Sequence, residues 1–319
     1  MKKLLALILL ACMLFSFAAC SAPETPDNGE TPDNGETPDN GETPAEKEYT
    51  LALAVDYSFS KGKGTDVVGA IVFDKDGKIV KARFDSVEET FGYSNGDLLA
   101  VDSIVTKVEK GADYKGMPAG SWEEQAALFE AYIVGKTVAE VEAITATTIA
   151  GCTMKSTIPM YINIVKKAAA YDANVSFKTS EDITLGLGVN GSISGSVEAG
   201  ATAAIDYAAV VMAGGKVVAC MLDSSQNKYT LSADTTAETI TASGEYGGTK
   251  NEKGDGYKMP NGTWKAQAQA YANSALNKTA AELANLDLVS DALAAAGCTM
   301  QKTTGGYRTT IVEAAAKAK

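Results

Sequence analysis

One stretch of this sequence occurs twice, and the words the copies share restrict the possible folds more than any bulk property. The first copy reads TKVEKGADYKGMPAGSWEEQAALFEAYIVGKTVAEV and the second TKNEKGDGYKMPNGTWKAQAQAYANSALNKTAAEL. Each is followed by Ala-Gly-Cys-Thr-Met, at Ala150 to Met154 and Ala296 to Met300, just ahead of a closing helical pattern. A period of roughly 140 residues is too long for a solenoid unit and suits a duplicated globular fold. The expected organisation is two repeats, at 48–171 and 180–319.

Composition narrows the chemistry. The chain has 319 residues, enough for about two domains, and 45% of them are hydrophobic, enough to build cores. The formal charge is −12, and no basic footprint for nucleic acid stands out. Histidine is absent. Ser-His-Asp and Cys-His nucleophile pairs therefore cannot be assembled, and proton transfer falls to carboxylates, Lys, Tyr or a bound cofactor. Three of the five cysteines, Cys152, Cys220 and Cys298, lie in the repeats. Their number and spacing give neither a disulfide framework nor a metal set.

The beginning of the chain reads as an export signal: Lys2 and Lys3, then an apolar run from Leu4 to Phe17, then Phe17-Ala18-Ala19-Cys20-Ser21. This resembles the processing site of bacterial lipoproteins, in which the cysteine becomes the lipidated N-terminus, with Phe17 where that family usually has Leu. The resemblance implies lipidation of Cys20 and an extracytoplasmic, membrane-anchored protein. The alternatives are an ordinary signal peptide or a membrane helix, and the apolar run is short for the latter. Residues 21–47 follow, with TPDNGE recurring from Thr25, Thr31 and Thr37. Such a Pro-, Gly- and acid-rich spacer cannot form a core. As a flexible coil it reaches on the order of 25 Å.

Within each repeat, strands come first. Thr50 to Val55 alternates, and Val67 to Phe73 and Lys78 to Phe84 flank an Asp-Lys-Asp-Gly turn, the pattern of a hairpin. Thr184 to Val189, Tyr207 to Met212 and Lys216 to Leu222 echo them. Helices follow. Ser121 or Thr263 caps a helix opening on tryptophan, with Trp122, Ala126, Phe129 and Ile133 on one face and Trp264, Ala268, Tyr271 and Ala275 as counterparts. Shorter helices start after Thr137 and Thr279. The expected class is α+β, each repeat an antiparallel sheet covered by helices.

Two shared elements are the candidate sites. The first is the Gly-Cys-Thr-Met tract, whose backbone N–H groups at a helix start suit an anion. It resembles the motif Asp-x-x-Ser/Thr-Gly-Ala-Thr-x-Ser/Thr of bacterial FMN-binding domains, exported α+β modules carrying FMN on a threonine. Gly151 and Thr153, and Gly297 and Thr299, match the glycine and the acceptor threonine, which implies FMN as cofactor. Thr147 and Leu293 replace the aspartate, Ala150 and Ala296 the hydroxyl residue, Cys152 and Cys298 the alanine, and Lys155 and Gln301 the last hydroxyl. A tight turn into a helix explains the same residues without a ligand.

The second element is the lysine- and aromatic-rich loop. Tyr114 and Trp122, with Tyr257 and Trp264, are candidates to stack a planar ring or a sugar beside lysines. The competing explanation is a loop pinned by aromatic packing. Gln125 and Gln267, one turn along, either bond a loop carbonyl or touch a ligand. The Lys-Gly/Asp-Tyr-Met loop with a Trp-x-x-Gln-Ala helix also resembles a pattern in uncharacterised lipoproteins of anaerobic Gram-positive bacteria, which implies no activity. Acid pairs such as Glu88-Glu89 and Glu123-Glu124 read as solvated faces, opposite Gln226-Asn227 and Lys265-Ala266 in the second copy, and give no glycosidase dyad. Three functions fit: a non-catalytic module binding a small or planar ligand, an FMN-carrying electron-transfer lipoprotein, or a structural or adhesion protein meeting another envelope component.

Overall fold

The computed structural model describes residues 45–94, 97–99, 104–114, 117–145, 147–234, 239–287, 294, 298–300 and 304–319. The signal, Cys20 and the TPDNGE spacer lie outside the described residues. Pro44 to Lys319 forms one compact unit.

Three long strands open the folded unit: β1 (Lys47–Ser60), β2 (Lys63–Asp74) and β3 (Ile79–Glu89). Asp74 Oδ1 accepts from the backbone N–H groups of Asp76 and Lys78, both at 2.9 Å, and Gly77 takes φ 75°, so the Asp-Gly turn reverses the chain as its residues dictate. A small hairpin follows, β4 (Gly92–Ser94) and β5 (Asp97–Leu99). Then come α1 (Lys107–Lys110), α2 (Trp122–Ile133), α3 (Val138–Glu142) and α4 (Ile158–Ala170). Strand β6 (Val175–Thr179), between α4 and the second group of strands, pairs antiparallel with β1 and completes a sheet ordered β3-β2-β1-β6.

The second half supplies β7 (Ile183–Ser196), β8 (Gly200–Ala213), β9 (Lys216–Asp234) and β10 (Thr239–Glu245), ordered β10-β9-β8-β7 and again antiparallel. Its helices are α5 (Lys250–Lys253), α6 (Trp264–Asn273), α7 (Ala280–Leu283) and α8 (Thr304–Ala316), with a two-residue pairing of β11 (Lys258–Met259) and β12 (Gly262–Thr263) ahead of α6. The class is α+β.

The two sheets pack face to face with helices on the outside. Strand periodicity dictates this. Leu51, Leu53 and Val55 of β1 bury against Leu185, Leu187, Val189, Tyr207, Ala209 and Val211 of the second sheet. The intervening Ala52 and Ala54 face Trp122, Phe129, Tyr161 and Val165 of the helices. Ala208 and Val210 likewise face Trp264, Tyr271, Tyr307 and Ile311. The result is helix–sheet–sheet–helix, one body sharing a seam. Among the described residues no helix is long and apolar enough to cross a membrane.

Matching positions solve matching problems. Gly135 turns the chain with φ 83° and donates to the Ile79 carbonyl at 2.7 Å. Asn277, its counterpart, takes φ 63° and donates to Val217 at 2.8 Å. Asparagine is among the few side chains that tolerate this conformation.

Candidate functional site

Each half builds its site around the Thr-Lys-x-Glu-Lys segment. Thr106 and Thr249 cap α1 and α5 in reciprocal capping boxes with Glu109 and Glu252. A buried aspartate within a strand anchors each box, Asp85 in β3 and Asp223 in β9. Asp85 accepts from the N–H of Val108 at 3.2 Å, and Asp223 from that of Asn251 at 3.1 Å. Burial pushes both carboxyls up to about 7 against these bonds. The anchored turn drives the first lysine inward. Lys107 Nζ lies 4.9 Å over the Tyr114 ring and 6.0 Å over Trp122. Lys250 Nζ lies 5.5 Å over Tyr257, 5.2 Å over Trp264 and 6.0 Å over Tyr307. Burial lowers the pKa of both ammonium groups.

The Gly-Cys-Thr-Met turn is held by the glutamines one turn into the tryptophan helices. The backbone N–H and Oγ1 of Thr153 both donate to Gln125 Oε1, at 2.7 and 3.0 Å. Those of Thr299 donate to Gln267 Oε1 at 2.7 and 2.8 Å. Gln267 also donates to the loop carbonyl of Asn261 at 3.2 Å. Gly151 takes φ 76°, while Cys152, Met154, Cys298 and Met300 are buried. Gly297 lies outside the described residues. Packing and hydrogen bonding thus account for the tract as a turn, with both threonines half-buried.

A cleft of about 400 Å³ opens between this turn and the tryptophan loop in the first half. Lys63, Lys107 and Glu88 supply its charge, and Tyr114, Met117, Trp122, Met154 and Met160 its apolar wall. Ser58, Ser60, Thr65, Thr153, Ser156 and Thr157 add hydroxyls. Glu88 Oε1 receives Lys63 at 2.8 Å, Lys107 at 3.5 Å and the Tyr114 hydroxyl at 3.4 Å. Burial raises the Glu88 pKa, but the lysines outweigh it and hold the carboxylate below its ordinary value.

The next residue on β3 points the other way, into the seam. Glu89 is fully buried; its Oε1 accepts from Asn227 Nδ2 at 2.8 Å and its Oε2 has no partner. The same amide reaches both oxygens of buried Asp66, at 3.1 and 3.2 Å, and Tyr207 and Ser225 donate to Asp66 as well. Burial raises both carboxyls, and for Glu89 the charge of Asp66 adds to it.

The sequence-derived candidates fall out unevenly. Tyr114, Trp122 and Thr153 converge on the cleft. The indoles are core residues, however, 1% exposed at Trp122 and 2% at Trp264, packed edge-on against Tyr161 and Tyr307. They form cleft floor and core rather than free stacking faces. Glu88-Glu89 is not a solvated pair, since sheet-on-sheet packing covers one member and the α1 loop the other. Glu123-Glu124 is a first-turn pair in which Glu124 closes the Ser121 capping box. Cys220 is fully buried, its thiol pushed up to about 12 by burial. Sequence reasoning misses Lys107, Lys250, Asp85 and Asp223, although the repeated Thr-Lys and Asp-Ser pairs are a signal that finds them. Among the described residues no acid and cysteine cluster suits a metal ion. No family model, curated protein or solved structure matches this chain.

Proposed function

We propose that this chain is a membrane-anchored extracytoplasmic lipoprotein whose folded unit, a fused pair of duplicated halves, binds a small ligand without chemical turnover. The ligand carries a negative group and a planar or apolar body. The observation carrying this reading is the cleft between the Gly-Cys-Thr-Met turn and the tryptophan loop. Its volume falls in the range of small-molecule sites. Two lysines against one glutamate leave it net positive, hydroxyls ring it, and methionines give an adaptable wall. Anchoring rests on Cys20 and the hydrated spacer.

The test is thermal denaturation of the full folded unit with a panel of small aromatic anions and their neutral analogues. A ligand at 100 times its Kd stabilises by about 2.7 kcal/mol. Stabilisation by anions alone, lost in Lys63→Ala with Lys107→Met, supports the reading; an equal response to neutral analogues refutes it. Cys20→Ser is expected to move the protein from the membrane to the soluble fraction.

Thr153 on the cleft wall favours a second reading, an FMN-carrying electron-transfer lipoprotein. Protein purified from its native host is then yellow and heavier than its polypeptide, and Thr153→Ala with Thr299→Ala abolishes both properties. A colourless protein of polypeptide mass ends that reading.

A further inference from the structure

Among the described residues lining the cleft Glu88 is the only acid, and its contacts converge on one atom. Lys63 Nζ, Lys107 Nζ and the Tyr114 hydroxyl all point at Oε1, at 2.8, 3.5 and 3.4 Å. Two ammonium groups and a phenol around a single oxygen are the donor set that a carboxylate or phosphate oxygen of a ligand would seek. The seat is near the surface yet enclosed: the Glu88 side chain is 14% exposed and that of Lys107 10%. The second half lacks this arrangement. Gln226 stands in the matching sequence position, and Lys250 Nζ donates to the Tyr307 hydroxyl at 3.3 Å without an ion pair among the described residues.

We infer that Glu88 is a resident stand-in for the ligand's anionic group, holding the seat between Lys63, Lys107 and Tyr114 and yielding it when ligand binds. This rests on the binding role proposed above for the same cleft. Two consequences follow from the charges alone. Glu88 offsets one of the two lysine charges and reduces the repulsion between them. An arriving anion must displace or tolerate a like charge, so Glu88 weakens binding and restricts it to ligands whose anionic group competes for two lysines at once. An uncharged or cationic ligand gains nothing from the displacement.

The experiment is calorimetric titration of phenyl phosphate into the wild type, Glu88→Gln and Lys107→Met. The glutamine variant keeps the length of the side chain and places at this position the residue found in the second half. Removing one negative charge within a few ångströms of the bound anion is expected to tighten binding by at least about tenfold. Lys107→Met is expected to weaken it by a similar factor. Should Glu88→Gln fail to fold, Glu88→Asp draws the carboxylate back by one methylene and is expected to tighten binding by a smaller factor. Wild-type binding that needs Lys107 but is unchanged or weakened by the Glu88 variants overturns the stand-in role and leaves the cleft reading intact. Absence of phenyl phosphate binding in every variant overturns both.

Discussion

Strand β3 ends in Glu88-Glu89 where β9 carries Gln226-Asn227, and this exchange separates the chemistry of the two halves. Both strands lead to a buried aspartate, a capping box and an inward lysine. The acid at position 88 then gives the first half a charged cleft, while Lys250 in the second half is enclosed by three aromatic rings. At the neighbouring position the halves meet. Glu89 bonds Asn227 across the seam, acid against amide. The two halves therefore differ in charge at matching sequence positions, carboxylates in one standing where the other has amides.

The largest test of the comparison concerns how closely the closing helices approach. Ala52 and Ala54 of β1 correspond to Gly186 and Gly188 of β7. A methyl on Gly186 would sit 1.7 Å from the Ala314 carbonyl oxygen, and one on Gly188 2.2 Å from that of Thr310. Both obstacles are helix backbone, which cannot rotate aside. Gly188→Ala is expected to cost about 3 kcal/mol or more in urea denaturation. Ala54→Gly leaves a void and a looser strand, costing about 1–2 kcal/mol. Equal costs would mean that α4 and α8 pack alike.

The seam supplies a pH test. The folded-state pKa of Glu89 is raised from its ordinary 4.5 to about 9, by burial and then by Asp66, with Asn227 opposing. An acid with a raised folded pKa contributes stability that is complete below its unfolded pKa. That contribution is lost as pH climbs through the folded value. Asp66 shifts the same way through burial, Tyr57 and Tyr207 face the pair with phenols pushed upward, and Glu252 adds distant negative charge. Unfolding free energy should therefore fall between pH 7 and 9, by up to about 1.4 kcal/mol per pH unit for one proton. Glu89→Gln, which mimics the protonated acid, should flatten that limb. An unchanged slope would mean the seam admits water and Glu89 is ionised.

The helices are legible in the sequence because their signals are local. Ser121 and Thr263 cap, tryptophan opens, and apolar residues recur on one face that the structure buries. Hairpin turns are legible for the same reason. Strand lengths are not: β9 extends to Asp234, well past Leu222, although buried Tyr229 and Leu231 alternate with exposed Lys228, Thr230 and Ser232, a period-2 signal that the sequence does carry. Strand β6 lies hidden between α4 and β7, in a segment that has no counterpart ahead of β1 among the described residues. The seam is illegible because Leu51 to Val55 is apolar on both faces, and nothing local says whether a helix or a second sheet covers each. Glu88-Glu89 misleads for that reason. An acid pair reads as solvated unless one knows that a sheet covers one side and a lysine-bearing loop the other.

The buried lysines give a third contrast. Lys107 has a carboxylate partner and Lys250 has aromatic faces and a phenol. Removing Lys107 leaves Glu88 with Lys63 alone in a half-buried site, so Lys107→Met is expected to cost about 1–2 kcal/mol. Lys250→Met leaves no broken ion pair, replaces a desolvated charge by a flexible apolar chain among rings, and is expected to be neutral or mildly stabilising. Thermal midpoints measured side by side decide it. A larger loss at Lys250 would show that Asp206 and Asp223, whose charges favour its ammonium, depend on it.

The smallest contrast lies within the shared turn, between donor and acceptor. One oxygen of Gln125 serves both the backbone N–H and the hydroxyl of Thr153, as one oxygen of Gln267 does for Thr299. Thr153→Ala removes a single bond and keeps the backbone N–H on Gln125, a loss of about 0.5–1 kcal/mol. Gln125→Ala orphans two donors at once and should cost about 1–2 kcal/mol. The same ordering is expected at Thr299 and Gln267, with a wider gap, because Gln267 also pins the Asn261 carbonyl. Equilibrium unfolding of the four single variants measures both gaps. Losses at threonine that match or exceed those at glutamine would mean that the hydroxyls serve something besides the turn, and would return attention to a group carried on Thr153.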